Sequence, residues 1–332
     1  VSESRKIRVA VVGVGDFGRN HVRVYRELEG VELAGVVDTN GERARSVAQE
    51  FGTEVLPGLE ALPGRADAAT VAVPTVDHAR VGGWLLEHGV DVLVEKPIAA
   101  SLAEADALIE AAQRHRRILQ VGHLERFNPA VVAALRILKQ PLFFEVHRLG
   151  IFTLRSLDID VVYDVMIHDL DILLAMAGTE VSEVRAVGIP ILTDKVDIAH
   201  ARIEFASGAV ANLTASRVST ERVRKLRFFQ EHEYISIDYT RQDVLRVRVA
   251  PGGTAPGEAK PQFEFEKLPT EPEEPLRAEL RAFVEAVRTR QTALVDGAAG
   301  RRALALADRV MRGILEHARR VQLSGLVPPG YR

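Results

Sequence analysis

Residues 7–18, Ile7-Arg8-Val9-Ala10-Val11-Val12-Gly13-Val14-Gly15-Asp16-Phe17-Gly18, run from a nearly continuous apolar stretch straight into three spaced glycines. An apolar run of that length suits a strand buried on both faces. The glycines meet three separate needs: a tight turn, close approach of the backbone to a pyrophosphate, and close packing of helix on strand. A helix expected from Asp16 to about Leu28 would aim its first N–H groups and its positive dipole end at the phosphates. By itself Gly-x-Gly-x-x-Gly is a common turn pattern. Here a second strand, Val31 to Val37, ends at Asp38, about twenty residues past Gly18, where a carboxylate meets the ribose hydroxyls of a dinucleotide. That carboxylate would repel a 2′-phosphate, so the expected cofactor is NAD rather than NADP. Arg43 and Arg45 lie nearby and are expected to be solvated helix positions.

Outward from this stretch, strands and helices alternate. Asn40 is placed to cap a helix ending at Phe51, and Ala68 to Val73 reads as a strand stopped by Pro74. Thr75 or Asp77 is expected to cap the next helix, which ends at Gly89. Val92 to Val94 and Ile118 to Val121 are further strands, with a capping box at Ser101 and Glu104 between them. Alternation of this kind implies a doubly wound parallel sheet. Beyond residue 123 the rhythm changes. A helix from about Pro129 to Lys139, a strand near Leu142 to Arg148 and an apolar helix from Val162 to Met176 are followed by strands with no helices between them. Two of these flank Ser207-Gly208, a tight-turn signal. Consecutive strands imply a largely antiparallel open sheet, hence α+β. The Gly- and Pro-rich segment 251–261 is expected to be a loop, and two helices close the chain. The expected division is residues 1–123 for a Rossmann domain and 124–332 for substrate binding and oligomerisation.

Bulk properties agree with this scheme. A chain of 332 residues exceeds one hydrophobic core, and 47% hydrophobic with 27% charged residues is an ordinary globular composition. The formal net charge of -3 gives no basic field for nucleic acid. With no cysteine, disulfides, thiolate nucleophiles and Cys-based zinc sites are excluded. No apolar run is long enough to span a bilayer, and the polar start carries no signal-peptide core, so the expected location is the cytoplasm.

Oxidation of an alcohol by hydride transfer needs a base for the hydroxyl proton and a donor for the developing alkoxide. Lys96, in Glu95-Lys96-Pro97, lies just past a strand's carboxyl end, where open α/β sheets bind ligands. A solvated lysine at a strand end would look the same. Asp164 and His168 are four apart on an apolar helix and so share one face. They read equally as an acid–base pair or as a satisfied core pair. A metal site on Asp164, His168 and Asp171 is a third reading, but it lacks a second histidine at ligand spacing. No metal is therefore expected.

Taken in order, several landmarks resemble those of the glucose–fructose oxidoreductase / inositol dehydrogenase / MocA family. They are Gly13 to Gly18, Glu95-Lys96-Pro97, Val121-Gly122-His123 through Arg126-Phe127-Asn128-Pro129, Asp164 through His168-Asp169, and the closing Pro275-Leu276-Arg277 through Phe283. The likeness spans nearly the whole chain. It implies that Lys96, Asp164 and His168 form a catalytic triad, with His168 the acid/base, Lys96 bonding the reacting oxygen and Asp164 orienting the site. It also implies that NAD lies over Gly13, Gly15, Asp16, Phe17 and Gly18 with its ribose on Asp38. The nicotinamide would then lie near Pro74, Glu95, Lys96, Pro97 and His123. A homodimer or homotetramer formed through the open sheet is implied as well.

A narrower likeness, in His123 to Pro129 and in Ser216 to Tyr239, is to the branch that oxidises the 3-hydroxyl of UDP-N-acetylglucosamine. Its 3-keto product passes to a partner aminotransferase for lipid A-type amino sugars. On that likeness the substrate meets Lys96, Arg126, Asn128, Arg148, Arg155, Asp164 and His168. Arg148, Arg155, Arg222, Arg224 and Lys225 offer cations to the diphosphate. The alternatives are a family dehydrogenase of inositol, a free hexose or another nucleotide sugar, and, from another class, a non-catalytic NAD-binding sensor or scaffold.

Overall fold

A computed structural model describes residues 5–153, 159–249 and 263–323. By their internal contacts the residues fall into two units, Val1–Phe127 with Glu274–Leu304, and Asn128–Glu273 with Ala305–Arg332.

The first unit opens with β1 (Ile7–Val12), α1 (Asp16–Glu27), β2 (Val31–Val37), α2 (Gly41–Phe51) and β3 (Ala68–Val71). It continues with α3 (Thr75–Glu87), β4 (Asp91–Glu95), α4 (Leu102–Arg114) and β5 (Leu119–Gly122). All five strands are parallel, in the order β2-β1-β3-β4-β5. The chain leaves β1 toward β2 on one side and returns to β3 on the other. That reversal opens a crevice at the carboxyl ends of β1 and β3. Local chemistry sets the helix ends. The Asn40 side chain accepts from the Glu42 and Arg43 amides at the start of α2, and Gly52, at φ 64°, closes it. At α4, Ser101 Oγ accepts from the Glu104 amide while the Glu104 carboxylate accepts from Ala100, one residue before the expected partner. The expected cap at Thr75 or Asp77 is not formed. Pro74 is the cap residue, with no side-chain bond, and Thr75 is already helical. Proline cannot supply a capping oxygen, but its extended backbone lets the helix start at once.

The second unit contains α5 (Pro129–Ile137), β6 (Pro141–Leu149), a π-helical turn over Val162–Met166 and α6 (Ile167–Ala177). It continues with β7 (Val181–Ile189), β8 (Ile198–Phe205), β9 (Val210–Ser216) and β10 (Val223–Gln230). The last strands are β11 (Glu233–Asp238), β12 (Asp243–Val249) and β13 (Phe263–Leu268). They form one sheet in the order β13-β12-β11-β10-β6-β9-β8-β7. Every pairing is antiparallel except β6 with β9. The Ser207-Gly208 turn joins β8 to β9 with Gly208 at φ 86°. The strands β7, β12 and β13 lie outside the expected set. β12 and β13 were signalled by alternation in Leu245-Arg-Val-Arg-Val and Phe263-Glu-Phe-Glu, a pattern that suits strands with one solvated face. The expected loop at 251–261 lies outside the described residues.

One face of this sheet carries the core of the unit, with Phe144, Val146, Leu226, Phe228, Ile235 and Ile237 all buried. On the opposite face the register lines up Phe143, Phe229, Tyr234, Val247 and Phe265 across five strands. The tilted rings of Phe143 and Phe229 have centroids 5.6 Å apart and those of Phe229 and Tyr234 5.1 Å, while Phe265 is 71% exposed.

Two helices complete the chain, α7 (Pro275–Thr289) and α8 (Gly297–Arg320). α7 belongs to the first unit. Its Leu280, Phe283, Val284 and Val287 join Val9, Val11, Val22 and Tyr25 in that unit's core. The division between units falls inside α8.

Candidate functional site

In the first unit the candidate site begins with the glycine loop. Gly13 sits at φ 85°, a conformation that side chains resist, and a Cβ there would lie 2.6 Å from the Ala72 carbonyl oxygen. A Cβ on Gly18 would lie 1.8 Å from the Gly13 carbonyl oxygen, so only glycine allows α1 to press this closely on the loop. Gly15 is the cap residue of α1 and makes no side-chain bond, so the 12-residue helix begins at Asp16 with its positive dipole end at the loop. Asp16 and Phe17 are exposed on its first turn. Asp38 ends just where the strand–helix rhythm requires. One carboxylate oxygen accepts from the Val14 amide at 2.8 Å and the other from the Asn40 amide at 2.7 Å. Arg43 is not simply solvated, because its guanidinium stands 3.7 Å from the Asp38 carboxylate. The loop thus brings backbone close to the start of α1 beside a carboxylate fixed by two amides. These residues fit a dinucleotide.

Further along the same sheet, Glu95 ends β4, and Pro74, Lys96, Pro97 and His123 lie just past the carboxyl ends of β3, β4 and β5. Lys96 is half-buried, and behind it the Glu95 carboxylate meets the fully buried His21 ring of α1 at 2.9 Å. A Cβ on Gly122 would lie 3.0 Å from that carboxylate, so β5 comes this close only as glycine. Burial pushes Glu95 up, but the bond from His21 and the charges of His21, Lys96 and His78 hold it below the ordinary carboxylate value. His78, on α3, reaches the carbonyls of Val73 and Pro97, both at 2.9 Å. It thereby ties the β3 and β4 ends together, and its burial pushes its pKa down. His21 and His78 are buried contacts of these strand ends that motif reading passes over. Their signal was a histidine on the apolar face of each helix.

In the second unit Asp164 lies in the π turn and His168 in the first turn of α6, both half-buried. The expected single α-helical face is therefore interrupted. The π turn closes Ile167 N–H onto the Val162 carbonyl, five residues back. Single π turns inside helices recur at functional sites. Tyr163 anchors this turn by donating its hydroxyl to Asp308 at 2.7 Å. Among the described residues no three His, Asp or Glu side chains gather as a metal-ligand set.

The remaining expected contacts divide. Arg126 is half-buried in the first unit, in a 3-10 turn over Leu124–Phe127. Asn128 is buried in the second, capping α5 by accepting from Ala130 and donating to the Tyr239 carbonyl at 3.1 Å. The diphosphate contact expected of Arg148 is not met. Arg148 points into the core from β6, and both arms of its guanidinium fork grip Asp169. Arg155 lies outside the described residues. Arg222 and Arg224 are exposed beside the start of β10, and Lys225 lies 4.0 Å from Asp238.

Comparison with known proteins agrees in both halves. Residues 7–123 match the model of an oxidoreductase family with an NAD-binding Rossmann fold, and residues 146–235 match the GFO/IDH/MocA C-terminal domain. The UDP-N-acetylglucosamine 3-dehydrogenase of Acidithiobacillus ferrooxidans is 40% identical over 309 residues, 92% of this chain and 96% of that protein. The scyllo-inositol 2-dehydrogenase (NAD(+)) of Bacillus subtilis is 31% identical over 64% of this chain and 68% of that one. Among solved structures, UDP-N-acetylglucosamine 3-dehydrogenase GnnA from A. ferrooxidans superposes with a TM-score of 0.87 at 37% identity, covering 94% of this chain and 98% of that chain. Levoglucosan dehydrogenase in complex with NADH shares the fold, with a TM-score of 0.82 at 18% identity over 94% and 98% of the two chains.

Proposed function

The chain belongs to the glucose–fructose oxidoreductase / inositol dehydrogenase / MocA family of NAD-binding oxidoreductases, and from that premise we propose that it oxidises the 3-hydroxyl of UDP-N-acetylglucosamine. The observation that carries the substrate is the 40% identity to a UDP-N-acetylglucosamine 3-dehydrogenase across 92% of the chain. A second reading, oxidation of an inositol or another sugar, is favoured by the 31% identity to an inositol dehydrogenase.

NAD, when bound, supplies the hydride acceptor. The residues of the chain divide the other tasks. Gly13 to Gly18 and the α1 N-terminus hold the pyrophosphate, and Asp38 takes the ribose hydroxyls. Pro74, Glu95, Lys96, Pro97 and His123 border the place for the nicotinamide. His168 takes the proton of the sugar hydroxyl as the hydride leaves the same carbon, so that a ketone forms. Lys96 donates a hydrogen bond to the reacting oxygen, and Asp164 orients the site. Arg126 and Arg155 are the cations assigned to the sugar or its diphosphate. The first unit is the cofactor domain and the second the substrate and assembly domain.

The aromatic row Phe143–Phe229–Tyr234, on the sheet face opposite the core, supports homodimer or homotetramer formation. The 3-keto product calls for a partner that consumes it, and an aminotransferase fits. No described helix is long and apolar enough to cross a membrane, and the cytoplasm, where NAD is held, is the proposed location. The test is NADH formation followed by absorbance, with a carbonyl trap to draw off ketone. Turnover of UDP-N-acetylglucosamine with none of inositol or free hexose is the expected result. Turnover of a polyol alone would replace the first reading with the second.

A further inference from the structure

The second unit contains a buried ion pair beside the proposed acid/base. Arg148, on β6, is 5% exposed and Asp169, the residue after His168, is 1% exposed. The Arg148 Nε meets one Asp169 oxygen at 2.6 Å and its Nη2 meets the other at 2.9 Å. This parallel two-bond fork fixes direction as well as distance. The guanidinium also lies 4.8 Å from the centroid of the buried Tyr239 ring. Asn128, in turn, donates to the Tyr239 carbonyl. Arg148 is therefore stacked, forked and enclosed, and its arms have one orientation.

α6 has unusual need of such an anchor. Its cap residue, Met166, makes no side-chain bond, and the helix follows a π turn rather than regular α structure. The rotation of α6 relative to Asp164 is thus not dictated by helical repeat alone. Its flanking core residues, Ile167, Leu170 and Leu173, are apolar, and apolar packing tolerates small rotations that a fork does not. Adjacent residues on an α-helix diverge by about 100°, so holding Asp169 on β6 turns His168 away from that strand. Tyr163 bonded to Asp308 holds the turn on the other side.

We propose that Arg148 is a positioning residue for the oxidation: through its fork on Asp169 it sets the rotation of α6, and so the direction of the His168 ring. This rests on the reading of His168 as the acid/base. It also assigns a role to Asn128 and Tyr239, which brace the guanidinium.

The test separates positioning from stability. Replacing a buried ion pair by apolar residues of similar size is often neutral or stabilising. The double variant Arg148→Met, Asp169→Leu is therefore expected to keep its circular dichroism spectrum and melting temperature. Its kcat, measured by NADH formation on the substrate that the wild type turns over, is expected to fall ~100-fold, the cost of about 1 Å of misplacement. KM and NAD affinity should stay within a factor of three. A folded double variant with wild-type kcat would overturn the proposal. Should the double variant fail to fold, Asp169→Asn, which keeps the shape and halves the fork, decides in its place, with ~10-fold loss of kcat expected and wild-type kcat overturning. His168→Ala is assayed in parallel. Retained turnover there would remove the underlying reading and this proposal together, whereas a dead His168→Ala beside an unaffected Arg148 pair would remove this proposal alone.

Discussion

The glycine loop at Gly13–Gly18 and the helical segment from Asp160 to Asp171 are both polar passages set in apolar surroundings, and they achieve their shapes by opposite means. In the loop the backbone is the working part. Its conformation follows from what is missing, the side chains at Gly13 and Gly18, and from one neighbour, Asp38, that bonds the Val14 amide. In the helical segment the side chains are the working part. Their directions depend on partners in other elements of the fold, Asp308 on α8 for Tyr163 and Arg148 on β6 for Asp169. A backbone site is specified locally and fails sterically. A side-chain site is specified by tertiary contacts and fails by losing one group or its direction.

Substitution in each region should therefore produce a different failure. The largest effect is expected from His168→Ala, with kcat reduced ~10³-fold for loss of the acid/base. NAD affinity by fluorescence titration should remain within twofold. A parallel fall in NAD affinity would dissolve the contrast. Gly18→Ala is expected to do the reverse. Its Cβ would displace the Gly13 carbonyl, and a loop strain of roughly 3 kcal/mol would weaken NAD binding by about 100-fold. If titration shows NAD bound as in the wild type, the loop is more pliable than its contacts allow.

A smaller effect, on stability, should come from Glu95→Gln, behind the Lys96 loop. Breaking its pair with His21 is expected to cost about 2 kcal/mol at pH 7, or about 5 °C in the melting of the first unit, followed through Trp84 fluorescence. The native environment holds Glu95 below its ordinary value of 4.5. Its stabilisation is therefore complete above that value and is lost as pH falls through the lowered one. The gap between variant and wild type should narrow as pH drops below 4.5. A gap independent of pH would mean that the carboxylate charge is not what His21 requires.

The same contrast explains what could be read from the chain in advance. The placement of Gly13, Gly18 and Asp38 was legible because it is local: a strand, a turn and a helix start within about thirty residues. The spacing of Asp164 and His168 was legible as well, but the π turn between them was not. It is not encoded by a distinctive residue, and an apolar helix shows the same periodicity with or without it. Arg148 was misread for a related reason. An arginine on a strand looks like a ligand for phosphate, and only the three-dimensional register, which turns it toward α6, reveals Asp169 as its partner. β12 and β13 carried an alternating signal, but charged alternation resembles a solvated loop. The parallel pairing of β6 with β9 had no sequence signature, since residues 67 apart in the chain, such as Phe143 and Val210, meet only through the fold.

The position of α7 carries a consequence for how the protein is made. Leu280, Phe283, Val284 and Val287 fill the same core as β1 and α1, yet Asn128–Glu273 is translated between them. At about 5–20 residues per second, a nascent chain waits roughly 7–30 s between finishing β5 and acquiring α7. For that interval the nucleotide-binding half exists with part of its interior exposed, while the sheet that follows it in sequence is already being extruded. The half that begins first is thus sealed only after Asn128–Glu273 has been translated, and the other half in turn waits for the part of α8 that follows Leu304.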